Sequence, residues 1–200
     1  LSSSSAASDV YKRQLSNLAS DKDDKLGAHR EIELKDAMAH LGIKDFRFLG
    51  APGKKWRDSG MMGTPQNDRT DVFWQSDLDE SATELVKVIL EIKPQVLITY
   101  DEFGGYGHPD HIKAHRVAMR AADIAETKGW KIEKIYWNTM PRSVIQMGIE
   151  KMKEAGSDFF GAESADDLPF AKPDELVTTV VHASESVSYT HLRAHETDSY

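Results

Sequence analysis

The chain contains no cysteine. Disulfides and thiolate metal sites are therefore excluded, and any metal must be held by histidine, carboxylates or water. It also lacks a positive balance. Its 25 Lys and Arg stand against 33 Asp and Glu, a formal charge of -8, the opposite of the basic stripe that a nucleic-acid footprint needs. No apolar run approaches the ~20 residues of a membrane span. Residues 1–14 have no apolar segment of the kind a secretory leader carries. These absences give the expectation of a cytoplasmic protein with neither a nucleic-acid nor a membrane partner. What remains is 200 residues, 40% apolar and 29% charged, enough for one soluble domain with a sizeable core.

Both ends read as foreign to that domain. Residues 1–14 do not fit the periodicity that follows, and residues 187–200 break off from the strand-like run before them. Both resemble translated adapter sequence, and His191 and His195 go with the second. The expected domain is a single one over residues 15–186.

Apolar positions Ile32, Leu34, Ala37, Met38 and Leu41 recur at helical spacing, which predicts a helix over residues 26–41 stopped by Gly42. Residues 46–49 are a short strand candidate, and residues 50–70 read as a long loop, a kind of segment that often carries function. A second helix is expected over 79–92, with Leu85, Val86, Ile89 and Leu90 on its apolar face. Pro94 separates it from the apolar run 96–100, which reads as a buried parallel strand. A helix over 109–127 with Pro109 in its first turn, a strand at 135–137, a helix over 141–155 and a strand over 176–181 complete the pattern. Strands alternating with helices predict an α/β fold, with a mostly parallel sheet and helices on both faces.

The stretch Gly104-Gly105-Tyr106-Gly107-His108-Pro109-Asp110-His111 lies between the strand at 96–100 and the helix at 109. Ligands of open α/β sheets gather at the carboxyl ends of strands, at such turns. His108 and His111 are three apart at a helix start and can share one face, which His115 extends. Imidazole is the commonest metal ligand and carries protons near neutral pH. Asp110 could orient His108 or His111, or complement the helix dipole as an acidic first-turn residue. The glycines lack the G-x-G-x-x-G spacing of a dinucleotide site. In the long loop, Trp56-Arg57-Asp58-Ser59-Gly60-Met61 offers Arg57 and Asp58 to a polar substrate, or Asp58 to a local turn. Arg30 by itself is a solvated charge. A catalytic zinc normally takes three protein ligands and leaves a position for water. The turn supplies about two.

Tyr100-Asp101 with the glycine–histidine stretch resembles the second signature of the LmbE-like zinc deacetylases, the group that includes N-acetylglucosaminyl-phosphatidylinositol deacetylases. Three further stretches, Leu26-Gly27-Ala28-His29-Arg30 with Glu33-Leu34, Trp56 to Met61, and Tyr136-Trp137 with Pro141-Arg142-Ser143-Val144, narrow the resemblance. They point to the branch that removes acetate from N-acetylglucosaminyl-inositol in mycothiol biosynthesis. The resemblance implies a Rossmann-like three-layer fold, lacking its first strand here, and one zinc (iron being the other candidate) per subunit. It implies His111 as a metal ligand, Tyr106 as oxyanion stabiliser, His108 as acid or electrostatic partner, and Asp110 as support for an imidazole. Arg30 and Asp58 fall where the family holds its small-molecule amino-sugar substrate. The family's other two ligands and its general base lie in an A-H-P-D-D-E motif that this sequence does not contain, so the 200-residue chain alone is expected to be inactive. Phe103 stands where Asn is often found before the glycines. The rival readings are a mycothiol S-conjugate amidase of the same family and a metal-free sugar-binding homologue.

Overall fold

The computed structural model describes residues 26–50, 53–159 and 161–181. They fall into two compact units, with the boundary between Arg47 and Phe48 and a return to the first unit at Val181. The first unit holds helix α1, Leu26–His40. It ends as predicted at Gly42, whose positive φ of 69° lets the Ile43 N–H reach back to the Met38 carbonyl at 2.9 Å. Leu34, Ala37 and Met38 are half-buried. Ile32, expected on the same face, is 61% exposed.

The second unit is built around one crossover. Helix α2, Leu78–Ile92, starts at Asp77, whose side chain accepts the Glu80 N–H, and stops at Lys93 in the left-handed region. Strand β1, Val96–Tyr100, feeds helix α3, Pro109–Thr127, which returns the chain to β2, Lys134–Asn138. The strands pair in parallel, Val96 opposite Lys134 and Tyr100 opposite Asn138, as a strand–helix–strand connection requires. Ala82, Val86 and Ile89 of α2 pack with Ala121 and Ala125 of α3 and with Ile132 in one core. A second core gathers Ile145 and Ile149 of helix α4, Arg142–Glu154, with Ala165, Leu168 and Phe170, and Phe103 and Met140 lie against it. Two short parallel strands, β3 at Met140–Pro141 and β4 at Ala171–Lys172, border it.

The α/β class and the parallel pairing are those expected. Three elements differ. Residues 46–49 form no strand, and the Arg47 guanidinium folds back onto Asp45 at 2.7 Å. The strand expected over 176–181 is absent as well. The pairing occurs earlier, at Ala171–Lys172, and Pro173 precedes a 3-10 turn at Asp174–Leu176. The N–H and hydroxyl of Ser143 bind the Asp174 carboxylate there and hold its carboxyl below the usual range. Finally, β1 is not buried on both faces: Leu97 reaches the first core, whereas Ile98 is 73% exposed.

Candidate active site

Tyr100 and Asp101 stand at the carboxyl end of β1 and organise the turn beyond it. The buried Asp101 accepts the Gly104 N–H at its carbonyl (3.0 Å) and the Gly105 N–H at its carboxylate (2.9 Å). Gly104 adopts a φ of +69°, and a Cβ there would lie 2.6 Å from the Ile112 nitrogen and 2.9 Å from the His111 Cβ. The turn can therefore press against the first turn of α3 only because position 104 has no side chain. His108 caps α3, and Pro109 opens it.

Three aromatic rings from the turn and the helix start come together. Tyr106 stands edge-on to His111 at 5.1 Å and to His108 at 6.1 Å, and the two imidazoles are 5.0 Å apart. The His111 ring lies flat on Tyr100 at 4.1 Å. Its Nδ1 is 3.1 Å from the Gly104 carbonyl. A carbonyl only accepts, so Nδ1 carries the hydrogen and Nε2 keeps its lone pair, the arrangement usual for a metal-ligating imidazole. His108 is poised the opposite way. Its Nδ1 accepts the Asp110 N–H at 3.2 Å, so the neutral ring carries its proton on Nε2 and offers a donor. His115 does not extend this cluster. It bonds through Nδ1 to the Tyr100 carbonyl at 2.9 Å and stands edge-on to Trp137.

The loop 57–75 docks onto the helix start. Arg57 bridges to Val72, its N–H donating to the Asp71 carbonyl at 2.9 Å. Asp58 makes the local contact considered for it, accepting the Gly60 N–H at 2.7 Å. The same carboxylate oxygen lies 3.9 Å from Nε2 of His108. Ser59 is fully buried. Its N–H donates to Asp110 Oδ2 at 3.1 Å, its hydroxyl donates to Oδ1 of the same carboxylate, and its Oγ accepts the Trp74 N–H at 3.0 Å. The Asp110 carboxylate is thus bound by Ser59, while Asp110 also stands as an acidic residue in the first turn of α3, as one of the two roles open to it required. Asn67, also buried, donates to the Ser59 carbonyl and accepts the Gly63 N–H at 2.8 Å. Lys113, one turn along α3, is buried with its ammonium on the Ser76 carbonyl. Burial and nearby Arg116 push its pKa down against the pull of Asp77.

Asp58, His108 and Asp110 bring three potential ligand atoms within 4.8 Å of one another, a group that could hold a metal ion. Two of the three are committed elsewhere: Asp110 to Ser59, and His108, through Nδ1, to a tautomer whose Nε2 is protonated. His111 is the imidazole whose bonding through Nδ1 leaves the lone pair on Nε2. A set of imidazoles and carboxylates without thiolate suits zinc or iron.

Beside Tyr106 opens a cleft of about 210 Å³, lined by Tyr100, Gly105, Tyr106, Asn138, Thr139 and Met140. It sits at the carboxyl ends of both strands. The Thr139 hydroxyl is buried there with no hydrogen-bond partner among the described residues. Arg30 belongs to the first unit, on α1, where its guanidinium pairs with Glu33 at 2.7 Å. Ser59, Asn67 and Thr139 were not singled out from the sequence. Only Ser59 had a signal, its place beside Asp58 in a distinctive stretch.

A profile of the family described as PIG-L: GlcNAc-PI de-N-acetylase matches residues 7–122. A protein of Catenulispora acidiphila named 1D-myo-inositol 2-acetamido-2-deoxy-alpha-D-glucopyranoside deacetylase 1 is 54% identical over 183 residues, which is 86% of this chain and 56% of that protein. Proteins of the same name, without the numeral, from Thermobispora bispora and Geodermatophilus obscurus are 50% and 49% identical, each over 94% of this chain. The chain spans 65% of the former and 68% of the latter, so it corresponds to part of the length of these relatives.

Proposed function

The chain belongs to the GlcNAc-PI de-N-acetylase (PIG-L) family, and we propose that its protein is a metal-dependent hydrolase that removes acetate from N-acetylglucosaminyl-inositol, a step of mycothiol biosynthesis. The observation that carries this reading is the opposed poise of two imidazoles under one phenol. His111 offers a lone pair and His108 offers an N–H, with Tyr106 edge-on to both. The names of the relatives favour the acetylated sugar over a thiol conjugate as substrate. Zinc or iron is the metal, and the partner is a small amino sugar. Among the described residues no helix is long and apolar enough to cross a membrane, and we place the activity in the cytoplasm.

His111 would hold the ion through Nε2. A divalent ion there supplies a Lewis acid for the acetamide carbonyl and lowers the pKa of water to about 7. One imidazole is a third of the protein ligands usual for catalytic zinc. The resemblance puts the others in an A-H-P-D-D-E stretch that this sequence does not contain, so the full-length protein is the material for every assay. The Tyr106 hydroxyl donates a hydrogen bond to the carbonyl oxygen as negative charge builds on it, the kind of contact that dominates acyl-transfer catalysis. His108 presents Nε2–H to the amide as a hydrogen-bond donor while neutral; to act as acid on the departing amine its ring must first take a second proton on Nδ1, releasing the Asp110 N–H that Nδ1 accepts. Asp58, 78% exposed at its side chain, accepts hydroxyl hydrogens from the sugar. The cleft beside Tyr106 receives the remainder of the substrate.

Acetate release from N-acetylglucosaminyl-inositol, measured before and after chelation and after zinc is restored, tests this reading. Release that is lost and regained supports it. Sugar binding without acetate release in the metal-loaded protein replaces it with a binding protein. Asp58→Ala is expected to raise KM roughly tenfold, the worth of one hydrogen bond to a charged group, while bound metal stays constant. Unchanged substrate kinetics would remove Asp58 from the substrate site.

A further inference from the structure

Ser59 connects the two halves of the site, and no part of the chemistry above uses it. It is fully buried, yet it spends both its N–H and its hydroxyl on one carboxylate, that of Asp110, 51 positions away. The residue before it is Asp58, whose carboxylate faces His108 Nε2 at 3.9 Å. The backbone N–H of Asp110 in turn holds His108 Nδ1. A single aspartate therefore grips the loop through its side chain and the imidazole through its main chain. The Trp74 N–H on Ser59 Oγ and the Asn67 amide on the Ser59 carbonyl fix the loop side of this latch.

We infer that Ser59 is a positioning residue for catalysis: its bonds to Asp110 set the separation between the substrate-holding carboxylate of Asp58 and the proton-bearing nitrogen of His108. The inference rests on the roles proposed for those two residues. Without the serine hydroxyl, the loop keeps one bond to Asp110 instead of two. The loop can then shift, and the Asp58–His108 spacing loses its constraint, while the Asp110 N–H in the first turn of α3 still holds His108 Nδ1. A merely structural serine would act through stability alone.

The test is a double-mutant cycle in the full-length, metal-loaded protein. Ser59→Ala, which keeps the Cβ and removes only the oxygen, is expected to lower kcat/KM up to about tenfold, as a small misplacement of the Asp58 carboxylate costs no more than its loss, with bound metal unchanged. In an Asp58→Ala background the same substitution is expected to cost less than about threefold, since no carboxylate remains to be positioned. Full additivity in the cycle overturns the inference. Imidazole nitrogen shifts give a readout that needs no substrate: His108 is expected to keep its Nε2–H tautomer in both proteins, while its Nε2 shift in Ser59→Ala moves towards that of Asp58→Ala as the carboxylate at 3.9 Å is displaced. If the parent releases no acetate but the Nε2 shift moves, the proposed reaction fails and the latch stands. If the parent is active and Ser59→Ala alters neither kinetics nor the Nε2 shift, the latch fails and the reaction stands. Should Ser59→Ala not fold, Asp110→Asn weakens the same link with the serine in place and is read through the same cycle.

Discussion

His111→Ala abolishes acetate release by the full-length protein and strips most of its metal. The expected loss in kcat/KM is at least about a thousandfold, which corresponds to roughly 4 kcal/mol of transition-state stabilisation. The size follows from what the ring does. Its Nδ1–H is bound by the Gly104 carbonyl and its face lies on Tyr100, so rotamer and tautomer are both set before any ligand arrives. Disturbing the outer contacts of a metal-binding imidazole costs about ten- to a hundredfold in affinity or activity, and removing the ring costs more. His115 provides the control. It has the same kind of Nδ1–carbonyl bond but stands edge-on to Trp137, outside the cluster, and His115→Ala is expected to retain the metal. Metal per protein, measured beside acetate release, checks both. Near-normal turnover in His111→Ala would end the assignment of this ring to the metal.

Gly104→Ala is the second large effect, and it acts on the fold of the site. The new Cβ would fall 2.6 Å from the backbone nitrogen of Ile112, and φ is +69°. The obstacle is main chain on the first turn of α3, which no side-chain rotation relieves. Left-handed backbone costs an L-residue about 1–2 kcal/mol and overpacking typically adds about 1–3 kcal/mol, so a loss of roughly 2–5 kcal/mol is expected. Gly129→Ala separates the two contributions, because φ there is +93° and a Cβ would meet nothing within 4 Å. It should show the backbone cost alone. Urea midpoints of the two variants make the comparison. Equal midpoints would mean that the turn does not press on α3. Since the Gly104 carbonyl also holds His111, metal affinity is expected to fall with stability in Gly104→Ala and to stay constant in Gly129→Ala.

The parts of this fold that could be read in advance are those whose causes are local. An unbroken apolar run, a glycine cluster and a proline at the first helical position place β1, the turn and α3 to the residue. The same local chain, a tight turn followed by a helix start, brings the rings of Tyr106, His108 and His111 within 5.0–6.1 Å of one another. What was not legible depends on partners distant in the chain. Residues 46–49 have strand-like composition but form no strand. Residues 176–181 do as well, and the pairing falls instead on Ala171–Lys172, where Met140–Pro141 is available. Ile98 belongs to an apolar strand yet stands largely in solvent, because composition does not say which face is covered. The Ser59–Asp110 bonds cross 51 positions, and no periodicity marks them. Asp110 was therefore assigned to its sequence neighbours when its actual partner comes from the loop.

Asp58 and Ser59 stand on opposite sides of the protein surface, one with a side chain 78% exposed and the other with none of it in water. One peptide bond thus separates a position that answers to the ligand from one that answers to the fold. Surface substitutions usually cost no more than about 0.5 kcal/mol, so position 58 can be recoded for another polar ligand, at the expense of the present one, by a residue that still accepts the Gly60 N–H. Position 59 has no such latitude. An evolving lineage, or an engineer, can retune what this loop recognises while leaving untouched the residue that says where the loop must be.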